Sequence, residues 1–87
     1  MAAVAAVTVR HLDGTSIDAP ITGRVTVNFE RHWEQPAREV FTSGNMEHNY
    51  WLAWQACFVA RKTALDFDQW LDTVATIEWG AVDLSPL

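Results

Sequence analysis

A nucleophilic or metal centre in this 87-residue chain would have to be built from three histidines, one cysteine and a few hydroxyls. His11, His32 and His48 are scattered, and none stands at a helical ligand spacing from another. With Cys57 as the single thiol they match no zinc pattern. Ser16, Ser43 and Ser85 lack the strand–turn–helix context that presents a nucleophilic hydroxyl. The four glycines are dispersed, so no phosphate-cradling loop forms. Asp66, Asp68 and Asp72 gather at a helix start, where capping and the helix dipole use them. A calcium site would need oxygen ligands at alternate loop positions instead. Glu30, His32 and Glu34 read as a solvated charged turn. The expectation is a non-enzymatic chain with no cofactor and no metal, whose function lies in its surface.

The elements that make that surface are aromatic. Tyr50 to Ala60 reads Tyr-Trp-Leu-Ala-Trp-Gln-Ala-Cys-Phe-Val-Ala, in which Gln55 is the one polar residue. A helix of this composition has no water-facing side and must be covered on most faces. Trp51, Trp54 and Phe58 form one stripe at a 3.6-residue period, flanked by Leu52 and Val59 on one side and Tyr50 and Cys57 on the other. Ala53, Ala56 and Ala60 leave a strip that admits close approach by a second helix. Five Trp, four Phe and one Tyr are many for so short a chain. A body of this size buries roughly 60–65% of its unfolded surface. Each ring brings about 150–250 Å². Some rings are therefore expected in an interface.

Residues 1–87 are read as a single domain. The net charge of −5, from eleven acids against six bases, argues against a nucleic-acid partner. One cysteine permits no internal disulfide, which suits a reducing compartment, and Cys57 reads as a buried, inert thiol. The apolar start has no basic flank and ends at Arg10, so neither a signal peptide nor a membrane span is expected.

The predicted fold class is α+β: a small N-terminal antiparallel hairpin or sheet of two to three strands over about 4–29, then a helical part with two main helices over about 46–79. Val7 and Val9 alternate with polar neighbours to about Leu12, and Asp13-Gly14 signals a hairpin. Ile17, Ala19 and Ile21 continue as a strand that Pro20 places at an edge. Arg24 to Val27, with Phe29 continuing the apolar face, reads as a third strand. Asn28 then caps a short helix carrying Phe29 and Trp33, the alternative being that the third strand runs on through Phe29. Pro36 breaks that segment, Ala37 to Phe41 adds a turn of helix, and Thr42-Ser43-Gly44-Asn45 is a loop. A long helix is expected from about Met46 to Lys62, with Arg61 and Lys62 at its negative end. Asp66 with Gln69 forms a capping box, and Leu65 with Trp70 fits a hydrophobic staple. Phe67, Trp70, Leu71, Val74 and Ile77 then make one helical stripe up to Gly80, followed by a loose tail over 80–87.

The order of these segments carries a resemblance. A hairpin with a central Asp-Gly precedes Phe29-Glu30-Arg31-x-Trp33, then Trp51-Leu52-Ala53-Trp54-Gln55-Ala56, then Phe67-Asp68-x-Trp70-Leu71-Asp72. This resembles the tail assembly chaperones of long-tailed bacteriophages, which show a Phe-Glu-Arg segment, a Trp/Tyr-Leu-Ala-Trp-His-Ala helix core and a Phe-x-x-Trp-Leu segment. The likeness spans roughly Val25 to Trp79; it departs at Gln55, where a His is frequent, and in a short linker before Phe67.

The resemblance implies a partner, the long helical tape measure protein, kept soluble until the tail tube polymerises around it. It also implies a homo-oligomer, a longer frameshifted form of the same chain, a place in the host cell cytoplasm, and absence from the mature virion. The candidate contact surface is Tyr50, Trp51, Trp54, Phe58, Phe67, Trp70 and Leu71, the alternative being that these same residues form the core against the sheet. Competing functions are a permanent virion part, such as a head–tail connector or tail terminator, and a small acidic inhibitor of a host protein.

Overall fold

In the computed structural model the described residues are 3–40 and 44–83, with side chains from 5–40 and 44–80. The chain is α+β. Strand β1 (Ala3–His11) and strand β2 (Ser16–Pro20) form an antiparallel hairpin. Helix α1 (Gly23–Trp33), a 3-10 turn (Ala37–Glu39), helix α2 (Met46–Val59) and helix α3 (Phe67–Leu71) follow. Strand β3 (Val74–Asp83) then returns antiparallel to β1 on its other side, giving the order β2-β1-β3.

The sheet register separates two faces. Val7 lies opposite Ala19 and Trp79, and Val9 lies opposite Ile17 and Ile77. Val7, Val9 and Ala19 lie in the core, and Ile77 and Trp79 pack against it. The other face is polar. Thr8 donates to Asp18 at 2.6 Å, and Arg10 pairs with Glu78 at 3.0 Å. The Asp-Gly signal is met in the β1–β2 loop. Asp13 accepts from the Thr15 amide and hydroxyl, and Gly14 sits at φ 92, a region that favours glycine. Pro20 lies on β2, an edge strand, as its missing N–H requires.

Two assignments from sequence are overturned, and for one reason. Arg24 to Phe29 is helix, not a third strand. Val25, Val27 and Phe29 fit a two-residue period, but Val25 and Phe29 also stand four apart. In the helix these two are fully buried while Val27 is exposed. The cap is Thr22, whose hydroxyl accepts from the Val25 amide, and not Asn28. In the opposite sense, the helix that starts at Phe67 stops at Leu71. Val74 and Ile77 belong to β3, which runs through Gly80 to Asp83 and replaces the first half of the expected tail. Thr73, Val74, Thr76 and Ile77 are β-branched, which favours the strand. The strands are therefore not all N-terminal. Residues 84–87, and Phe41 to Ser43 of the expected turn and loop, lie outside the described residues.

Helix α2 starts where expected, with Asn45 accepting from the His48 amide, but ends at Val59 instead of Lys62. Ala60 closes it, and Arg61 takes φ 60. The Arg61 amide donates to Phe58 O at 3.0 Å and the Lys62 amide to Cys57 O at 2.8 Å. That is the pattern of a Schellman cap, with arginine where glycine is usual. The Asp66–Gln69 capping box forms as expected, with Gln69 N donating to Asp66 at 2.8 Å and Asp66 N donating to Gln69 at 3.3 Å.

Candidate interaction surface

Helix α2 is buried along His48, Asn49, Trp51, Leu52, Ala53, Gln55, Ala56 and Cys57. Its cover comes from its own chain: α1, the sheet and α3. Helices α1 and α2 run antiparallel. Asn28 donates to Gln55 at 3.2 Å, Phe29 meets Trp51 at 5.9 Å between ring centroids, and Trp33 meets His48 at 4.2 Å. His32 stacks on Trp51 at 4.6 Å and 13°. The row continues along α2 from Trp51 to Trp54 at 5.6 Å and from Trp54 to Phe58 at 5.3 Å. It then crosses to Phe67 at 5.9 Å and Trp70 at 6.4 Å on α3. Nine aromatic and imidazole rings thus form one connected cluster inside a single chain.

The predicted contact residues divide accordingly. Trp51 and Trp70 are buried, at 7% and 1% exposure, and belong to the core. Tyr50, Trp54, Phe67 and Leu71 are half-buried and pack against it. Phe58 is 45% exposed, the one exposed ring among those whose side chains are described. The surplus of ring area expected from composition is therefore smaller than the count suggested. Five indoles find cover or half-cover, because aromatic edges pack on one another and on two histidines. Of the described aromatic rings Phe58 remains outside, with Leu65 nearby, whose carbonyl accepts the Trp54 indole N–H at 2.9 Å; Leu12, Val27 and Met46 are exposed elsewhere.

Beside Phe58 the surface opens into a groove of about 810 Å³. Phe58, Val59 and Ala64 supply its apolar lining, and the Asn28–Gln55 amide pair joins its two walls. Arg24, Arg61 and Lys62 complete it, so half of the six basic residues of an acidic chain meet at one place. All three are exposed, and none forms an ion pair with another described residue. Arg24 stands in the first turn of α1, where the helix dipole disfavours a cation. Arg61 occupies a left-handed backbone position that costs a non-glycine residue roughly 1–3 kcal/mol. The Schellman cap accounts for the backbone at Arg61, but not for a cation in place of glycine there, nor for one at Arg24.

The sequence did not mark Arg24, Asn28, Arg61 or Lys62 as site residues. The Arg61-Lys62 pair read as dipole complementation at a helix end. The available signal was the pair's position just after the largely apolar Tyr50–Ala60 stretch, with no acid in the three residues that follow it.

Comparison with protein-family models, curated proteins and solved structures found no match for this chain.

The other candidates for chemistry stay apart. His32 and His48 both contact Trp33, at 4.8 and 4.2 Å, and serve as aromatic partners. His11 lies on β1. No group of three His, Cys, Asp or Glu side chains among the described residues could hold a metal ion. Burial pushes the Cys57 thiol up to about 11, so it stays protonated at neutral pH. No helix among the described residues is long and apolar enough to cross a membrane.

Proposed function

We propose that this chain is a non-catalytic binding protein of the tail assembly chaperone kind, which holds the tape measure protein of a long-tailed bacteriophage in solution during tail assembly. The observation that carries this reading is the exposure of Phe58 near the end of a helix whose middle, from His48 to Cys57, is covered or half-covered by its own chain. A small exposed apolar site on a small acidic body suits a protein that coats a long client in many copies. Each copy needs to contribute only a modest contact. The charge of −5 keeps the coated client from associating with itself. The order of the Phe29-Glu30-Arg31, Trp51–Ala56 and Phe67–Asp72 segments supports the family side of the reading. On this reading the chain acts in the host cytoplasm, self-associates, and shares its client with a longer frameshifted form.

The test is co-purification followed by particle analysis. Expressed with the tape measure protein, the chain is expected to elute with it in large stoichiometric excess. Mass spectrometry of purified particles is then expected to lack it. Stoichiometric presence in particles would make it a permanent virion component instead.

A further inference from the structure

We infer that the groove between the N-terminus of α1 and the C-terminus of α2 takes an amphipathic helical segment in which carboxylates flank an apolar side chain. This deepens the client-binding reading, on which the helical form of the occupant rests; the charge pattern comes from the groove itself. The apolar part of the lining, Phe58, Val59 and Ala64, offers cover to an apolar side chain. The cations come from both walls: Arg24 from α1, and Arg61 and Lys62 from the turn after α2. Carboxylates on either side of a seated apolar residue would therefore each meet a cation that has no ion pair among the described residues.

Charge complementarity favours this occupant over the alternatives. The remaining bases do not share the groove: Arg10 is paired with Glu78 across the sheet. The net −5 repels a long polyanion such as a nucleic acid, while a short segment with two or three carboxylates feels mainly the local cations. The left-handed Arg61 fits the same picture. A glycine there would relieve the backbone but remove a rim cation.

The probe is a fluorescein-labelled helical peptide of Leu, Ala and Glu, with Leu at i, i+3, i+4 and i+7 and Glu on the flanks; its partner carries Lys for every Glu. Binding is read by anisotropy in 50 mM and 500 mM salt. The Glu peptide is expected to bind the full chain about tenfold or more tighter than the Lys peptide at low salt, with the gap shrinking to a few-fold at high salt. The double variant Arg24→Glu, Lys62→Glu alters two exposed side chains and is expected to reverse the preference with an unchanged melting curve. Equal binding of the two peptides overturns the inference without needing any variant. So does tighter binding of a labelled oligothymidine, or a groove already occupied by a second copy, seen as salt-sensitive dimers that the double variant abolishes. The client reading fails separately. If the Glu peptide binds as expected but the tape measure protein does not co-purify, the groove stands and the client is a different acidic helix. If the tape measure protein co-purifies equally with the double variant, the client reading stands and the groove inference falls.

Discussion

The indole N–H of Trp79 donates to the Asn49 side-chain oxygen at 3.1 Å, tying the last strand to the first turn of the long helix across 30 residues of sequence. Asn49 is buried, and its amide nitrogen donates to Asn45 O at 2.8 Å and Val40 O at 3.4 Å. One side chain thus joins β3, α2 and the segment that leads into α2.

Asn49→Ala is expected to destabilise the chain by about 2 kcal/mol, because it removes an acceptor and two donated bonds from a buried place. Urea denaturation followed by tryptophan fluorescence measures it. A loss below about 0.5 kcal/mol would show that water replaces the amide there.

Two indoles make a contrasting pair. Trp33 Nε1 is buried with no hydrogen-bond partner among the described residues, whereas Trp79 Nε1 has Asn49. Trp33→Phe loses ring area but also an unsatisfied donor, and is expected to be near neutral. Trp79→Phe leaves the Asn49 oxygen without this donor and is expected to cost about 1–2 kcal/mol. Equal losses in parallel melts would contradict the assignment.

Much of the fold was legible, and the misses share a cause. Capping chemistry was readable from single residues: Asp66 with Gln69, the Asp13-Gly14 loop and Pro20 at an edge all appear as the local rules require. Amphipathic period was not. Val25 and Phe29 satisfy both a strand and a helix, and Phe67 to Ile77 satisfies a helix while its second half is β-branched and pairs with β1. Short segments whose apolar residues fit two periods are settled by tertiary pairing, which no local pattern contains. The same holds for the surface. Trp51 and Phe58 look equivalent on a helical wheel, yet α1 covers Trp51 through Phe29 and His32, while Phe58 faces the open groove that it shares with Arg24. Arg24 and Lys62 lie 38 residues apart and become one site only through the antiparallel pairing of α1 with α2.

Arg61→Gly is expected to raise the melting temperature, since glycine takes φ 60 without strain. A gain of about 0.5–1 kcal/mol corresponds to a few degrees for a chain of this length. Binding of the Glu peptide is expected to weaken severalfold in the same variant. A more stable protein with unchanged binding would remove Arg61 from the site.

Cys57 supplies a pH test. Burial holds its thiol at about 11, above the 9.0 of a free thiol. The folded state therefore keeps the proton over a range where the unfolded chain has lost it. The contribution to stability is complete below about pH 9 and is lost as pH rises from 9 to 11. Cys57→Ala is expected to flatten that part of the stability curve. In the wild type, iodoacetamide at pH 8 is expected to label Cys57 only after denaturant is added.

The most direct measurement is the soluble yield of the tape measure protein co-expressed with the wild-type chain and with Phe58→Asp. Phe58 is half exposed and packs on Trp54, so the substitution is expected to lower the melting temperature by a few degrees while leaving the chain folded, which a parallel melt checks. The expected result is a soluble client with wild type and an aggregated client with Phe58→Asp. A client equally soluble with both would contradict the claim that the exposed Phe58 ring is part of the client-binding surface.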